Sequence, residues 1–363
     1  MNILVAGGAG YIGSHTMVEL LNANHNVICV DNLYNSSKIA IDRVEQIANK
    51  KIKFYNIDLI DIKNIEKVFD ENKIDAVIMF AGYKAVGESS QKPLEYYYNN
   101  LVTLMNIIEV MRKHNCRNII FSSSATVYGM KATVPITEES YVGDLRSVTN
   151  PYGRTKLMIE QILNDIADSD KNFNVVILRY FNPVGAHDSG LIGEDPKGIP
   201  NNLMPYIAQV SVGKRDKLHI FGNDYKTKDG TGVRDYIHVV DLSIGHVAAL
   251  KIFDKTDRNL DICKGIGNNK NIYIYNLGTG KGYSVLDVLH AYEKACNKKI
   301  DFVFDDRRAG DVDELYCDPK KARDELGFVA KRDIENMCQT SYNFQSKNPD
   351  GYGDENLVKM IFE

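Results

Sequence analysis

Short apolar runs alternate with amphipathic stretches through the first half of the chain. Ile3–Ala6 leads into a glycine-bearing turn and an amphipathic stretch that reaches Ala23. Val27–Asp31 is a second apolar run and ends in an acid. Ile52–Ile57 runs into Asp58, Ile62–Asn72 has helical spacing, and Ile74–Ala81 is apolar again. The pattern then predicts a long helix over Pro93–His114 and a strand over Asn118–Ser122. The apolar runs are short and nearly continuous, as expected of strands buried on both faces. Strand and helix in regular alternation predict an α/β fold, a Rossmann-type doubly wound parallel sheet with helices on both sides.

Beyond Asn182 the rhythm changes. Glycine and proline gather in Asn182–Gly185, Gly190–Pro200 and Gly222–Gly232. Helices are predicted near Leu203–Val212, Val239–Phe253 and Val285–Cys296, with short strands at Leu218–Phe221, Ile272–Asn276 and Asp301–Phe304. This predicts a smaller C-terminal α+β region over the carboxyl edge of the sheet. The expected division is residues 1–181 for the dinucleotide domain, 182–345 for the substrate region and 346–363 for a tail. A stretch at about 235–255 is expected to return to the first domain. Asp257–Asn271 is polar and glycine-bearing and reads as a surface loop.

Bulk composition narrows the classes. The 363 residues are 44% hydrophobic and 25% charged, the balance of a soluble globular protein. Net charge is −4 with no Lys/Arg block, which argues against a nucleic-acid surface. No apolar run approaches the ~20 residues of a membrane helix. The chain enters a strand pattern at Asn2, so no signal peptide and a cytoplasmic location are expected. Cys29, Cys116, Cys263, Cys296, Cys317 and Cys338 form no C-x-x-C pair, which points to reduced thiols and no metal site.

The turn after the first run reads Gly7-x-x-Gly10-x-x-Gly13. Gly7 permits a tight turn, Gly10 lets backbone approach a pyrophosphate, and Gly13 lets helix and strand pack closely. The helix that starts at Tyr11 and Ile12 offers free N–H groups to phosphate. Asp31, at the end of the second run, is placed to accept hydrogen bonds from a ribose diol and would repel a 2′-phosphate. NAD is therefore the expected cofactor. Asn32, Asn35 and Ser36 follow in the next turn, Asp58 ends the third strand, and Phe80, Ala81, Gly82 and Lys84 end the fourth. All are candidate cofactor contacts.

Phe121-Ser122-Ser123-Ser124 ends the fifth strand, and Asn150-Pro151-Tyr152-x-x-x-Lys156 opens a helix. Asn150 suits the N-cap and Pro151 the first helical position. Tyr152 and Lys156 then share one face. A free phenol titrates near ~10 and is a poor base at neutral pH. A lysine ammonium, a helix N-terminus and an oxidised nicotinamide would all favour phenolate. Ser124 can bond the reacting hydroxyl. This set removes a hydroxyl proton while the same carbon is oxidised.

These residues, with Phe80–Ser89, Lys92–Tyr96, Phe121–Gly129, Arg179–His187, Gly198–Tyr206, Gly230–His238 and Arg307-Arg-x-Gly-Asp311, resemble the extended short-chain dehydrogenase/reductase superfamily. Within it the chain is similar to the UDP-glucose 4-epimerase family, from Asn2 to about Gly351. The resemblance implies reversible inversion at carbon 4 of a UDP-hexose with tightly held NAD. It adds Leu59, Asn99, Ser122 and Tyr180 to the cofactor contacts. It places Lys84, Ser124, Tyr152, Phe181, Asn182, Asn202, Leu203, His219, Phe221, Arg234, Arg308, Asp311 and Leu315 around the UDP-sugar. In particular, Arg234 and Arg308 would hold the pyrophosphate, Phe221 the uracil and Asp311 the uridine ribose. Leu315 stands where a tyrosine closes the family's sugar pocket, which implies room for N-acetylated UDP-hexosamines.

A homodimer through Pro93–His114 and Pro151–Asp168 is also implied; the stripe Leu101, Leu104, Ile108, Met111 suits it, and an intramolecular contact would use the same pattern. Related 4,6-dehydratases carry Asp-Glu after the strand-end hydroxyl residue. Ala125 and Thr126 stand there in this chain and argue against dehydration. Another nucleotide-sugar oxidoreductase of the same fold, or an NAD-binding regulatory module without chemistry, is the alternative. Turnover of UDP-galactose without added NAD separates the sensor from the epimerase.

Overall fold

A computed structural model describes residues 1–131, 133–253, 271–308 and 310–353. Cys263, most of the expected 257–271 loop and the end of the tail lie outside the described residues. The first half builds β1 (Asn2–Ala6), α1 (Tyr11–Asn22), β2 (Asn26–Asp31), α2 (Lys38–Ala48), β3 (Lys53–Asn56) and α3 (Ile62–Glu71). It continues with β4 (Ala76–Met79), α4 (Val86–Gln91), α5 (Pro93–Lys113), β5 (Asn118–Ser124), α6 (Pro151–Ser169) and β6 (Asn174–Tyr180). Sequence spacing did not signal α2 or the short α4.

The second half holds β7 (Asn182–Val184), α7 (Leu203–Ser211), β8 (Leu218–Phe221), β9 (Val233–His238), α8 (Val239–Ala249) and β10 (Ile272–Leu277). It ends with β11 (Gly282–Ser284), α9 (Val285–Cys296), β12 (Phe302–Asp305), β13 (Glu314–Leu315), α10 (Lys320–Leu326) and α11 (Ile334–Lys347). The central sheet has seven strands in the order β10-β6-β5-β4-β1-β2-β3, all parallel. The winding reverses between β1 and β4, so a crevice opens beyond their carboxyl ends.

Both faces of the sheet are covered, which is why its strands read as unbroken apolar runs. Along β1, Ile3 and Val5 pack into one core and Leu4 and Ala6 into the other. Truncating a fully buried Leu4 to alanine would cost roughly 2–5 kcal/mol. β9 is the axis of a separate sheet and pairs with β7, β11 and β13. β8 and β12 form a two-stranded parallel ribbon. A third core joins α7, α9 and α11 beside these strands.

Two expectations change. β10 lies within the range assigned to the substrate region, yet it forms the edge of the central sheet against β6. Its register with Val175–Tyr180 joins segments about a hundred residues apart, which local pattern cannot reveal. The stripe of Leu104, Ile108 and Met111 is not an outer face. It is buried in the core beneath the sheet, with Leu101 packed at its margin. The apolar residues α5 exposes are Leu94, Tyr98 and Met105.

Candidate active site

The glycine turn sits at the switch point. Gly7 has φ 79° and donates to the Val30 carbonyl at 2.8 Å. A Cβ there would lie 2.7 Å from the Ala81 nitrogen. At Gly13 a Cβ would meet the Gly7 carbonyl oxygen at 2.4 Å, so helix and turn touch. Gly10 differs. Its Cβ would meet only the Gly7 oxygen, at 3.4 Å, an ordinary contact. The fold itself does not require glycine there. Gly10 is also the N-cap of α1, and no side chain caps that helix. An uncapped helix start with an open approach fits a dinucleotide pyrophosphate.

Asp31 is buried and holds the turn in place. It accepts from the Ala9 N–H at 3.0 Å, the Leu33 N–H at 2.9 Å and the Ser36 hydroxyl at 2.8 Å. Burial pushes its carboxyl upward, and these donors pull it back. Ser36 therefore helps to orient Asp31. Asn32 donates to Asp58 at 3.1 Å, and Asn35 accepts from the Lys197 N–H at 3.3 Å. Leu59 is buried in the core. Past β4, Lys84 pairs with Glu194 at 3.2 Å, and Asn202 donates to the same carboxylate oxygen at 3.3 Å. Glu194, which sequence reasoning missed, thus links the two halves. Asn99 is buried beside Asn100, which ties the Tyr83 carbonyl to Thr155 of α6.

The side chains expected to react, Ser124, Tyr152 and Lys156, meet at the β5–α6 corner. The Asn150 side chain caps α6 by accepting from the Gly153 N–H at 2.8 Å. Tyr152 and Lys156 are 8% and 6% exposed, so both titratable tips sit inside the protein. Lys156 Nζ donates to the Ser122 carbonyl at 2.8 Å and lies 5.8 Å from the centre of the Tyr152 ring. Burial lowers the ammonium to about 8, and Glu160 opposes that fall. Burial raises the Tyr152 phenol to about 12, and its hydrogen bond to Ser124 draws it partway back. Desolvation is thus the larger influence on the phenol in the protein alone.

Ser122 was expected among the cofactor contacts. It is fully buried, and its hydroxyl is committed to His246 of α8 at 2.9 Å. His246 Nδ1 faces the Leu242 carbonyl at 2.9 Å, so it donates there and Nε2 accepts from Ser122. Ser122 acts through its carbonyl on Lys156. Tyr180 packs against His246, with ring centres 6.3 Å apart. Ala125 is buried in a small apolar cluster with Phe181, Val127 and Tyr128, and Leu315 packs against it.

The residues expected around UDP gather near β8, β9 and β13. Arg308 stacks on Phe221, 3.9 Å from guanidinium carbon to ring centre. Arg234 reaches Asp311 at 3.4 Å and is paired in register with Leu315. His219 meets Asp305 at 2.7 Å. Asn182 pairs in register with Tyr236, and Leu203 starts α7 next to Asn202. Among the described residues, no group of His, Cys, Asp and Glu could hold a metal ion, and no helix is long and apolar enough to cross a membrane. Cys29, Cys116, Cys296, Cys317 and Cys338 are free and buried.

Comparison with known proteins gives a consistent result. The family model described as GDP-mannose 4,6 dehydratase matches residues 4–341. UDP-glucose 4-epimerase of Pasteurella multocida is 55% identical over 98% of this chain and 100% of its own length. The crystal structure of UDP-glucose 4-epimerase from Bifidobacterium longum, in complex with NAD+ and UDP, superposes with a TM-score of 0.89 at 52% identity. It covers 97% of this chain and 100% of that one. The Stenotrophomonas maltophila enzyme, with bound NAD and formylated UDP-arabinopyranose, also gives a TM-score of 0.89, at 41% identity over 96% of this chain and 99% of that one. The serine-tyrosine-lysine corner, the uncapped glycine turn and this identity along nearly the whole length mean that the chain belongs to the UDP-glucose 4-epimerase family, within the extended short-chain dehydrogenases/reductases.

Proposed function

We propose that the protein interconverts UDP-glucose and UDP-galactose, using NAD that stays bound through each cycle. The observation that carries this is the corner itself: Tyr152 in the first turn of α6 beside Ser124 at the end of β5, with Lys156 held on the same helix by the Ser122 carbonyl. NAD, when bound, supplies a reversible two-electron acceptor and a positive charge. Gly10, Tyr11, Ile12 and Asp31 would hold its adenosine half, and Lys156 and Tyr180 would flank its nicotinamide half. Tyr152 Oη takes the proton of the sugar 4-hydroxyl as carbon 4 is oxidised. Ser124 holds the reacting oxygen. Tyr152 then returns the proton when carbon 4 is reduced on its other face.

Inversion requires the sugar to turn while the nucleotide stays. Arg234 and Arg308 would grip the diphosphate through their planar forks, and Phe221 would pack on uracil. The enzyme would be a homodimer formed through the exposed apolar residues of α5, namely Leu94, Tyr98 and Met105. Leu315, on β13 beside Arg234, is half-buried against the cluster that contains Ala125 and Phe181. That placement favours a second substrate class, the N-acetylated UDP-hexosamines.

The decisive experiment incubates purified protein with UDP-galactose and no added NAD. Formation of UDP-glucose is expected, and bound NAD without turnover would refute epimerisation in favour of a regulatory module. Leu315→Tyr is expected to abolish turnover of UDP-N-acetylglucosamine and to change turnover of UDP-galactose by less than about twofold. Equal loss of both, or wild-type turnover of both, removes Leu315 as the selector.

A further inference from the structure

We infer that Glu160 is a positioning residue for the Tyr152–Lys156 pair, acting through a buried clamp with Ser123 and Arg179. The inference rests on the reading of Tyr152 as base and Lys156 as its cationic partner. Glu160 follows Lys156 by four residues, as Lys156 follows Tyr152, so all three lie on the side of α6 that faces the sheet. Glu160 is 7% exposed and Arg179 2%. One carboxylate oxygen accepts from the Ser123 hydroxyl at 2.5 Å and from Arg179 Nε at 3.0 Å. The other accepts from Arg179 Nη2 at 2.5 Å. Arg179 also donates to the Tyr128 phenol at 3.1 Å, and that phenol donates to Asn276 at 2.7 Å.

One carboxylate therefore ties α6 to β5 through Ser123 and to β6 through Arg179, and the network runs on to β10. Ser123 stands between the two residues that matter for chemistry. Ser122 on one side holds Lys156, and Ser124 on the other meets Tyr152. The clamp sets how far along the strand the helix sits, and so where the phenol and the ammonium lie relative to Ser124.

The clamp also sets local charge. Lys156 is faced by Tyr152 and Glu160 from α6, Tyr180 of β6 stands by Tyr152, and His246 of α8 bonds Ser122. His246 is held neutral by burial, which lowers it to about 4. Arg179 lies on the far side of Glu160. One carboxylate thus stands between two buried cations. Without its charge, Arg179 loses its buried counter-ion, and Lys156 loses the carboxylate that favours its ammonium and releases its proton more readily.

The test measures kcat against pH with UDP-galactose, using full-length protein with its bound NAD. Wild type is compared with Glu160→Gln and with Glu160→Gln/Arg179→Gln. In Glu160→Gln the alkaline limb of kcat is expected to move down by about one pH unit, with KM within about twofold. The double variant restores charge balance and is expected to bring the limb back toward wild type. An unmoved limb in Glu160→Gln overturns the charge role. If that variant does not accumulate folded protein, Ser123→Ala loosens the clamp and leaves every charge in place. It is expected to lower kcat roughly fivefold with KM and the limb unchanged, about the net worth of one ordinary hydrogen bond. Wild-type kcat in Ser123→Ala overturns the clamp. Wild-type turnover in Tyr152→Phe would instead reject the base assignment, whereas an inactive Tyr152→Phe beside an unmoved limb rejects Glu160 alone.

Discussion

Two corners of the molecule treat charge in opposite ways. At β5–α6, Lys156, Glu160 and Arg179 are buried, and the pair Glu160–Arg179 satisfies itself inside the protein. Around β8, β9 and β13, Arg308 is exposed and rests on an aromatic face, and Arg234 donates to the Val233 carbonyl at 2.8 Å and reaches a half-exposed Asp311 at 3.4 Å. The first arrangement allows no freedom, because breaking one partner leaves a bare charge in a low dielectric. The second leaves guanidinium donors ready for a ligand's phosphates. Rigid geometry at the reacting carbon and available cations at the nucleotide are what a sugar that turns on a fixed anchor requires.

That contrast can be broken or sharpened by substitution. Tyr152→Phe should show the largest effect, a fall in kcat of about 10³-fold, with bound NAD retained. Near-normal turnover would remove the base and with it the meaning of the rigid corner. Arg179→Met should cost roughly 3–5 kcal/mol of stability, because Glu160 is left buried without its partner. A denaturant midpoint close to wild type would show that the corner relaxes more easily than its burial implies.

Lys156 gives a pH test with a definite sign. Its folded value, about 8, lies below the ordinary 10.5. Between those values the folded protein binds fewer protons than the unfolded chain, so this group makes stability rise with pH across that window. Below about 8 the full penalty is present. Lys156→Met should therefore be more stable than wild type at pH 7, by on the order of 2–3 kcal/mol, even as it loses activity. The difference should shrink from pH 8 to 10.5, and a gap independent of pH would contradict the cause given.

Arg308→Ala should show the smallest effect on the fold, within about 0.5 kcal/mol, as for an exposed side chain. Its effect should fall on affinity for UDP, a loss of about 10- to 100-fold, corresponding to charge-assisted hydrogen bonds. Loss of stability with unchanged UDP affinity would reverse the contrast between the two corners.

What could be read in advance was local. The glycine turn, Asp31 at the end of the next strand, the Asn150 cap and the Tyr152–Lys156 spacing all act within a turn or two of chain, so spacing alone exposes them. Glu160 left a faint local trace, an acid four residues beyond Lys156 on a helix face turned inward. Its partners left none. Arg179 looks like any strand residue until β6 is laid beside β5, and Ser123 looks like its neighbours until the pleat turns it toward α6.

The sequence by itself determined the alternating α/β pattern, the glycine turn after β1 and the Asn150 cap that opens α6, because hydrophobic period and capping chemistry are short-range. Tertiary structure alone decided that β10 returns to the central sheet, that the α5 stripe faces inward and that Ser122 works through its carbonyl. It alone also shifts the titration of Tyr152 and Lys156, through their burial. A phenol's pKa depends on everything that desolvates it, and those groups come from strands and helices far apart in the chain.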